Sequence, residues 1–236
     1  MTLTPAYLVD FDGTITTVDI SYELAIGLAG EGYEDIDYVY RRKEIPIREW
    51  LMRTAQVLPH DMDLLLSKSL EWAVIRPGFN RFLEHALKQG SPVIIASDGF
   101  GFYIEPILRK HGIFEQISYI YRNDTYINAN GNLEVKTPHA HGICTVCGNC
   151  KALHVVNLKE QGRAVIYIGD GSNDRYGASW GDHVCARDQL AEYSRKYNFD
   201  YSQWSNFCDI IDVSMPEIKD RSESSLCCPL GKGIKT

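Results

Sequence analysis

Short apolar runs that end in polar clusters recur along this chain, and helical patterns separate them. The runs cover residues 6–9, 93–96 and 164–168. Their length and bulk are typical of strands buried on both faces of a parallel sheet. Between them, apolar residues recur at helical spacing, for example over residues 79–89 and 151–161. This alternation predicts an α/β fold in which a Rossmann-like parallel sheet is flanked by helices.

The segment that follows the first run lacks strand-like alternation. Over residues 19–71 the apolar positions keep helical spacing, and Gly30, Pro46 and Pro59 divide the segment into short helices. This pattern predicts a small helical cap inserted after the first strand. The predicted domains are a core of residues 1–16 and 77–218, the cap at 17–76, and a loose tail at 219–236.

A second departure from the strand-helix alternation lies between the second strand and the helix that begins at Lys151. Residues 117–135 alternate between apolar and polar, and Asn130 and Gly131 are a typical hairpin turn pair. We therefore expect a small antiparallel flap here.

The net charge of the chain limits the classes of partner that it is expected to bind. The 236 residues carry a formal net charge of −7, which argues against nucleic acid or an anionic membrane as the main partner. No apolar run approaches the roughly 18 residues that span a bilayer, and the N-terminus lacks a signal-peptide pattern. We expect a cytoplasmic protein that acts on a small molecule without a nucleic-acid or membrane partner; a homo-oligomer is compatible with the sequence.

Polar clusters follow all three predicted strands. Asp10 and Asp12 follow the first strand, and Ser97 follows the second. The carboxyl ends of parallel strands share one edge of the sheet, which is where α/β proteins bind ligands. Carboxylates buried there need a compensating cation or a reacting phosphate. The third cluster, which follows the run at 164–168, consists of Asp170, Asn173 and Asp174. One lysine, Lys151, lies between the second and third clusters at the start of a predicted helix.

Taken together, these clusters resemble the four motifs of the haloacid dehalogenase-like (HAD) phosphohydrolases. Those motifs are Asp-x-Asp-x-Thr, a Ser or Thr after a strand, a Lys, and an acidic Gly-Asp-Gly-x-x-Asp loop. They match residues 10–14, Ser97, Lys151 and residues 169–174 in the family's order. The helical insert is similar to the cap of the phosphoserine phosphatase branch.

The resemblance implies a catalytic role for each motif residue. Asp10 would be the nucleophile that forms an aspartyl-phosphate, and Asp12 would protonate the leaving alkoxide and then activate water. Lys151 would neutralise the phosphoryl oxygens. The implied substrate and phosphate-binding residues are Ser97, Asp98, Asp19, Thr14 and Asn173. The implied Mg²⁺ residues are Asp10, Asp12 through its backbone carbonyl, Asp170, and Asp174, which would support the metal shell.

Finer features point to a branch of the family. The stretch Asp-Phe-Asp-Gly-Thr-Ile-Thr and the residues at 147–151, Cys-Gly-Asn-Cys-Lys, are similar to the 2-hydroxy-3-keto-5-methylthiopentenyl-1-phosphate phosphatases of methionine salvage. Phosphocholine/phosphoethanolamine phosphatases share the pair Ser97 and Asp98. Phosphoserine phosphatases fit less well, because their substrate-carboxylate arginine falls at Met52, beside Arg53. The substrate stays open between these small phosphomonoesters.

Three of the seven cysteines precede the lysine at regular spacing. Cys144, Cys147 and Cys150, with a histidine such as His141, could bind Zn²⁺ through three thiolates and one imidazole. The alternative is a reduced loop that merely places Lys151.

Two non-enzymatic classes use some of these residues. A phosphoacceptor signalling domain also carries an Asp, a Lys and a Ser or Thr on a parallel sheet, but it needs no acid at the position of Asp12. A zinc-binding module would leave the three acidic clusters without a role. The sequence therefore favours a Mg²⁺-dependent phosphatase over both.

Overall fold

The computed structural model describes residues 4–213, and its centre is one mixed sheet. The strands are β1 (Ala6–Val9), β2 (Val93–Phe100), β3 (Tyr119–Ile127), β4 (Leu133–Lys136), β5 (Val165–Gly169), β6 (His183–Ala186) and β7 (Tyr201–Gln203). They lie in the order β4-β3-β2-β1-β5-β6-β7, and β4 alone among them runs antiparallel to its neighbour. The predicted α/β fold with a parallel sheet is confirmed.

Strand β1 lies at the centre because its side chains are apolar on both faces. Tyr7 pairs with Val93 of β2 on one side and with Ile166 of β5 on the other. All four residues of β1 are buried. A continuous apolar strand of this kind is stable only where helices cover both faces of the sheet.

Ten α-helices occur in the described part of the chain. They are α1 (Ile20–Leu28), α2 (Tyr33–Arg41), α3 (Ile47–Val57), α4 (Met62–Trp72), α5 (Phe79–Lys88), α6 (Gly101–Lys110), α7 (Lys151–Glu160), α8 (Asp174–Ala178), α9 (Asp188–Lys196) and α10 (Cys208–Ile211). Helices α5, α6 and α10 pack with Val9 and Ile95 on one face of the sheet. Helices α7, α8 and α9 pack with Leu8 and Tyr167 on the other. The core therefore has three layers, with the sheet between two layers of helices.

Helices α1–α4 form the insert predicted after the first strand, and residues 20–72 are called the helical insert below. The chain enters and leaves it side by side: Thr16 forms an antiparallel bridge with Ile75, and the Thr17 amide donates to the Val74 carbonyl at 2.9 Å. Aspartate side chains cap α1 and α4. The exact domain boundaries stay a prediction.

The predicted flap is present, but only half of β3 belongs to it. The first half of β3 pairs in parallel with β2, and residues 124–127 then pair with β4 around a turn in which Gly131 has a φ of 81°. The flap is thus a continuation of the main sheet. The tail predicted at residues 219–236 lies outside the described residues. Within residues 4–213, no helix has the length and apolarity that crossing a membrane requires.

A buried arginine stabilises the turn that follows β1. The guanidinium of Arg76 donates to the carbonyls of Gly13, Thr14 and Thr16, with Nε 2.8 Å from the Thr14 oxygen. It also lies 5.6 Å from the centre of the Trp204 ring. One side chain therefore satisfies three backbone oxygens that the turn leaves without helix or sheet partners.

Replacing Arg76 with Ala should lower the free energy of unfolding by about 3 kcal/mol, because buried carbonyls lose charged donors. Urea unfolding with analysis of the midpoint and slope measures this. Arg53→Ala is the control, since Arg53 forms an exposed pair with Glu49 and should cost less than about 1 kcal/mol. Equal losses in the two variants would contradict the role given to Arg76.

Candidate active site

The predicted site residues meet at the carboxyl edge of the sheet, around one cavity of about 320 Å³. Asp10 follows β1, Asp170 follows β5, and Lys151 is the first residue of α7. The pairing of β2 with β3 is irregular between Ala96 and Phe100, which is where Ser97 and Asp98 face the cavity. The predicted residues that line it are Asp10, Asp12, Asp19, Ser97, Asp98, Lys151, Asp170, Asn173 and Asp174.

Lys151 joins two of the carboxylates. Its Nζ lies 2.7 Å from Asp10 Oδ1 and 2.7 Å from Asp174 Oδ1, and the three residues are at most 7% exposed. Burial alone would lower the pKa of Lys151, but the two carboxylates raise it well above its ordinary value. The lysine therefore stays a cation.

Three carboxylates are grouped as a metal site would require. One oxygen each of Asp10, Asp170 and Asp174 lies within 4.8 Å of the others. Burial and the Asp174 charge raise the pKa of Asp170 to about 7, because a single lysine does not balance three carboxylates. Carboxylate oxygens are ligands that Mg²⁺ prefers. The donor set therefore fits the predicted ion.

The Asp12 carboxylate lies outside this group, so its side chain does not join the other metal residues. The Ile20 amide donates to Asp12 Oδ1 at 2.9 Å, and the Tyr103 hydroxyl donates to Oδ2 at 2.6 Å. Burial, with the nearby Asp19 charge, raises the pKa of Asp12 to about 8. A metal contact of Asp12 would have to use its backbone carbonyl.

Thr14 also differs from its predicted place. It is fully buried and donates a hydrogen bond to Asp170 Oδ1, and the cavity lining does not include it. Its contact orients a metal-site carboxylate instead of a phosphate.

The preceding Gly13 has a φ of 76°, and a Cβ there would overlap the Asp170 carboxylate. The turn after β1 therefore needs glycine at this position.

Sequence reasoning missed several residues that hold the site together. The Asn149 side-chain amide donates to the Ser97 carbonyl at 2.8 Å, and its backbone amide donates to Asp98 Oδ1 at 2.8 Å. The Tyr167 hydroxyl donates to Asp174 Oδ1 at 2.6 Å. Asn149 lies two positions before Lys151, and this closeness in the sequence was the one feature that could have marked it as a site residue.

His154 supports Asn149 from α7. Since Asn149 Oδ1 can only accept, His154 Nε2 donates to it. The imidazole stacks on Tyr121 with ring centres 3.6 Å apart. Burial, together with His139 and Lys151, lowers the pKa of His154 to about 3. The imidazole is therefore neutral in the folded protein.

The open part of the cavity is aromatic and acidic. Tyr40 and Trp50, from α2 and α3, lie with ring centres 5.4 Å apart, and Asp19 caps α1 beside them. Among the described residues that line this cavity, Lys151 is the one basic side chain. Arg53, the neighbour of the position expected to hold a substrate-binding arginine, is exposed and paired with Glu49.

The zinc prediction is not supported. Within residues 4–213, the metal-ligand grouping found is the aspartate group above, and Cys144, Cys147, Cys150 and His141 do not form another. His141 turns its Nδ1 to the amide of Ile143 in its own loop at 3.2 Å. The cysteine loop instead contacts the insert, where Arg48 Nε donates to the Cys147 carbonyl at 2.7 Å.

Comparison with known proteins agrees with this geometry. The chain is 31% identical over 214 residues to a 2-hydroxy-3-keto-5-methylthiopentenyl-1-phosphate phosphatase of Exiguobacterium sibiricum, covering 89% of this chain and 96% of that protein. A protein of the same name from Bacillus pumilus is 30% identical over 226 residues, covering 93% and 94%. Among solved structures, a substrate-bound phosphoserine phosphatase superposes with a TM-score of 0.65 at 15% identity, covering 89% and 98%.

The sheet order and the helical insert are those of the HAD phosphatase fold, and the relatives that align over most of this chain are named phosphatases. The chain belongs to the family described as "Putative Phosphatase", whose family model matches residues 7–191. The resemblance inferred from the sequence motifs is thereby confirmed.

The buried neutral His154 should make stability fall in acid. Its pKa is lower in the folded chain than in the unfolded chain, so the unfolded chain binds a proton first as the pH drops below about 6.5. Relative to His154→Gln, the wild type should lose about 2.5 kcal/mol of unfolding free energy between pH 7 and pH 4.5. Urea unfolding at several pH values measures the difference, and parallel pH curves would refute the assignment.

Proposed function

We propose that this chain hydrolyses small phosphomonoesters with Mg²⁺, through an aspartyl-phosphate on Asp10. The observation that carries the proposal is the buried group in which Lys151 bridges Asp10 and Asp174 while Asp170 lies within metal-ligand distance. A cation and an acidic cluster side by side suit a phosphoryl group that must approach a carboxylate nucleophile. Asp10, Asp170 and the Asp12 carbonyl would hold Mg²⁺, which would neutralise phosphoryl charge.

The protein's own groups account for the remaining chemistry. Lys151 contacts one oxygen of Asp10, which leaves the other for attack on phosphorus. As the Asp10 oxygen bonds to phosphorus and the ester bond breaks, Asp12 gives its proton to the departing oxygen. Asp12 then takes a proton from the water that attacks phosphorus and frees Asp10. Ser97 lies beside Asp12, with its hydroxyl 3.4 Å from Oδ2, and it would bind a phosphoryl oxygen of the substrate.

The substrate that we propose is 2-hydroxy-3-keto-5-methylthiopentenyl-1-phosphate. The relatives that carry this name align over most of their length. The cavity also suits the molecule, because Trp50, Ile47 and Leu51 would cover its methylthio end. Polar side chains nearer the phosphate, such as Asp98, would bond its hydroxyl groups.

Phosphocholine and phosphoethanolamine are the second candidate. A cationic head group would lie against the Tyr40 and Trp50 rings and the Asp19 carboxylate. Phosphoserine is disfavoured, since its carboxylate would meet Asp19 and Asp98, and the one basic residue of the described lining, Lys151, would be taken up by the phosphoryl group. The acidic net charge further supports an enzyme of small metabolites without a nucleic-acid or membrane partner, and we propose that it acts in the cytoplasm.

Replacing Asp10 with Asn should abolish turnover, with a loss of at least about 10³-fold, because the amide cannot act as the nucleophile. Release of inorganic phosphate measures this, and removal of Mg²⁺ by EDTA should silence the wild type reversibly. Asp63→Asn is the matched control, since Asp63 is exposed at the start of α4. Turnover near the wild-type level by Asp10→Asn would exclude the proposed mechanism.

A substrate panel separates the two candidates. We expect kcat/KM for 2-hydroxy-3-keto-5-methylthiopentenyl-1-phosphate to exceed that for phosphoserine by at least about 100-fold, because a buried unpaired carboxylate is costly. Trp50→Ala should weaken this preference, since it removes apolar contact. A higher kcat/KM for phosphocholine would instead favour the second candidate, and a preference for phosphoserine would exclude both.

A further inference from the structure

A buried hydrogen-bond chain leads from the helical insert to the proposed acid. The Tyr103 hydroxyl lies 2.6 Å from Asp12 Oδ2 and 2.8 Å from Ser21 Oγ. The Tyr103 hydroxyl donates its single proton to Asp12 Oδ2, so in the contact with Ser21 the serine hydroxyl is the donor. Tyr103 comes from α6 beside the sheet, whereas Ser21 comes from α1 of the insert.

The tyrosine is held firmly enough to determine where Asp12 points. Tyr103 is fully buried, and its ring contacts those of Phe11, Phe100 and Phe102 with centres 5.2 to 6.2 Å apart. Gly99 packs against the hydrogen bond itself, because a Cβ there would overlap both the Tyr103 hydroxyl and the Asp12 carboxylate. The phenol therefore has little room to move.

This contact matters because other charged groups that would attract or repel Asp12 lie nearby. Lys151 and the aspartate group lie across the same cavity, yet Asp12 is not part of that group. Its two oxygens are instead bound by Tyr103 and, on the Oδ1 side, by the Ile20 amide at 2.9 Å. The carboxyl group is thereby kept apart from the metal residues, with its remaining lone pairs available to the substrate.

We propose that Tyr103, supported by Ser21, is a positioning residue that holds the Asp12 carboxyl in line for proton transfer. The inference rests on the acid and base role of Asp12 in the proposed function. In the first step the Asp12 proton moves to the ester oxygen as that oxygen leaves phosphorus. In the second, Asp12 accepts a proton from the attacking water. Tyr103 keeps its own proton throughout and does not line the cavity.

Leaving groups of different basicity give a direct test. An alkoxide needs a proton as it departs, whereas p-nitrophenolate departs readily without one. Because kcat/KM reports the steps up to ester cleavage, Tyr103→Phe should lower it about 10- to 100-fold for the best alkyl phosphomonoester. The value for p-nitrophenyl phosphate should change less than about threefold. The variant should also slow the second step, in which Asp12 accepts a proton from the attacking water. With p-nitrophenyl phosphate this should give a burst of p-nitrophenol before steady turnover.

Two further variants complete the experiment. Ser21→Ala should produce the same selective loss at a smaller size, about three- to tenfold, and it serves alone where Tyr103→Phe fails to fold. Tyr33→Phe is the matched control, because the Tyr33 hydroxyl is buried without a hydrogen-bond partner; both substrates should react as in the wild type. Equal losses on the two substrates, or none, would overturn the role of Tyr103. An inactive wild type would instead refute the proposed function itself.

Discussion

A buried lysine held between two carboxylates is the constraint on which the rest of this structure depends. Desolvating Lys151 is costly, and Asp10 and Asp174 offset that cost only if both reach it at hydrogen-bond distance. Asp10 follows β1, Lys151 begins α7 and Asp174 begins α8. The central strand and two of the three helices that cover one face, α7 and α8, must therefore keep fixed positions relative to one another. Helix α8 approaches α7 through Gly177, where a Cβ would crowd Lys151 and Tyr167.

The positions of the main site residues could be predicted because strand ends are readable in the sequence. Asp10, Ser97 and Asp170 follow apolar runs, so parallel topology alone brings them to one edge. What the local pattern does not contain is the direction of a side chain after the strand ends. The Thr14 side chain points to Asp170 and the Asp12 side chain points to Tyr103. In both cases the direction is determined by a hydrogen-bond partner that lies far away in the sequence. The cysteine spacing suggested a metal, but the histidine needed as fourth ligand faces its own loop.

The supporting residues were missed for a similar reason. Tyr103 lies 91 positions from Asp12, and Asn149 lies 52 positions from Ser97. Tyr103 belongs to none of the motifs, and the Cys-Gly-Asn-Cys-Lys stretch that contains Asn149 does not indicate what the asparagine contacts. As single residues, a tyrosine in a helix and an asparagine in a loop have ordinary structural explanations. Their role becomes visible only when the fold brings them to buried carboxylates and carbonyls, where every polar group needs a partner.

The anchoring of the turn by Arg76 has a consequence for how this molecule can open. Arg76 holds residues 13–16 through their carbonyls, and the bridge between Thr16 and Ile75 joins the two connecting segments to each other. Any swinging of the insert away from the sheet must therefore hinge beyond that bridge. Ile20 lies past the hinge while Asp12 lies before it, so an opened molecule would lose the amide contact to Oδ1. If substrate enters by such an opening, Asp12 regains its contact with the Ile20 amide only when the insert closes.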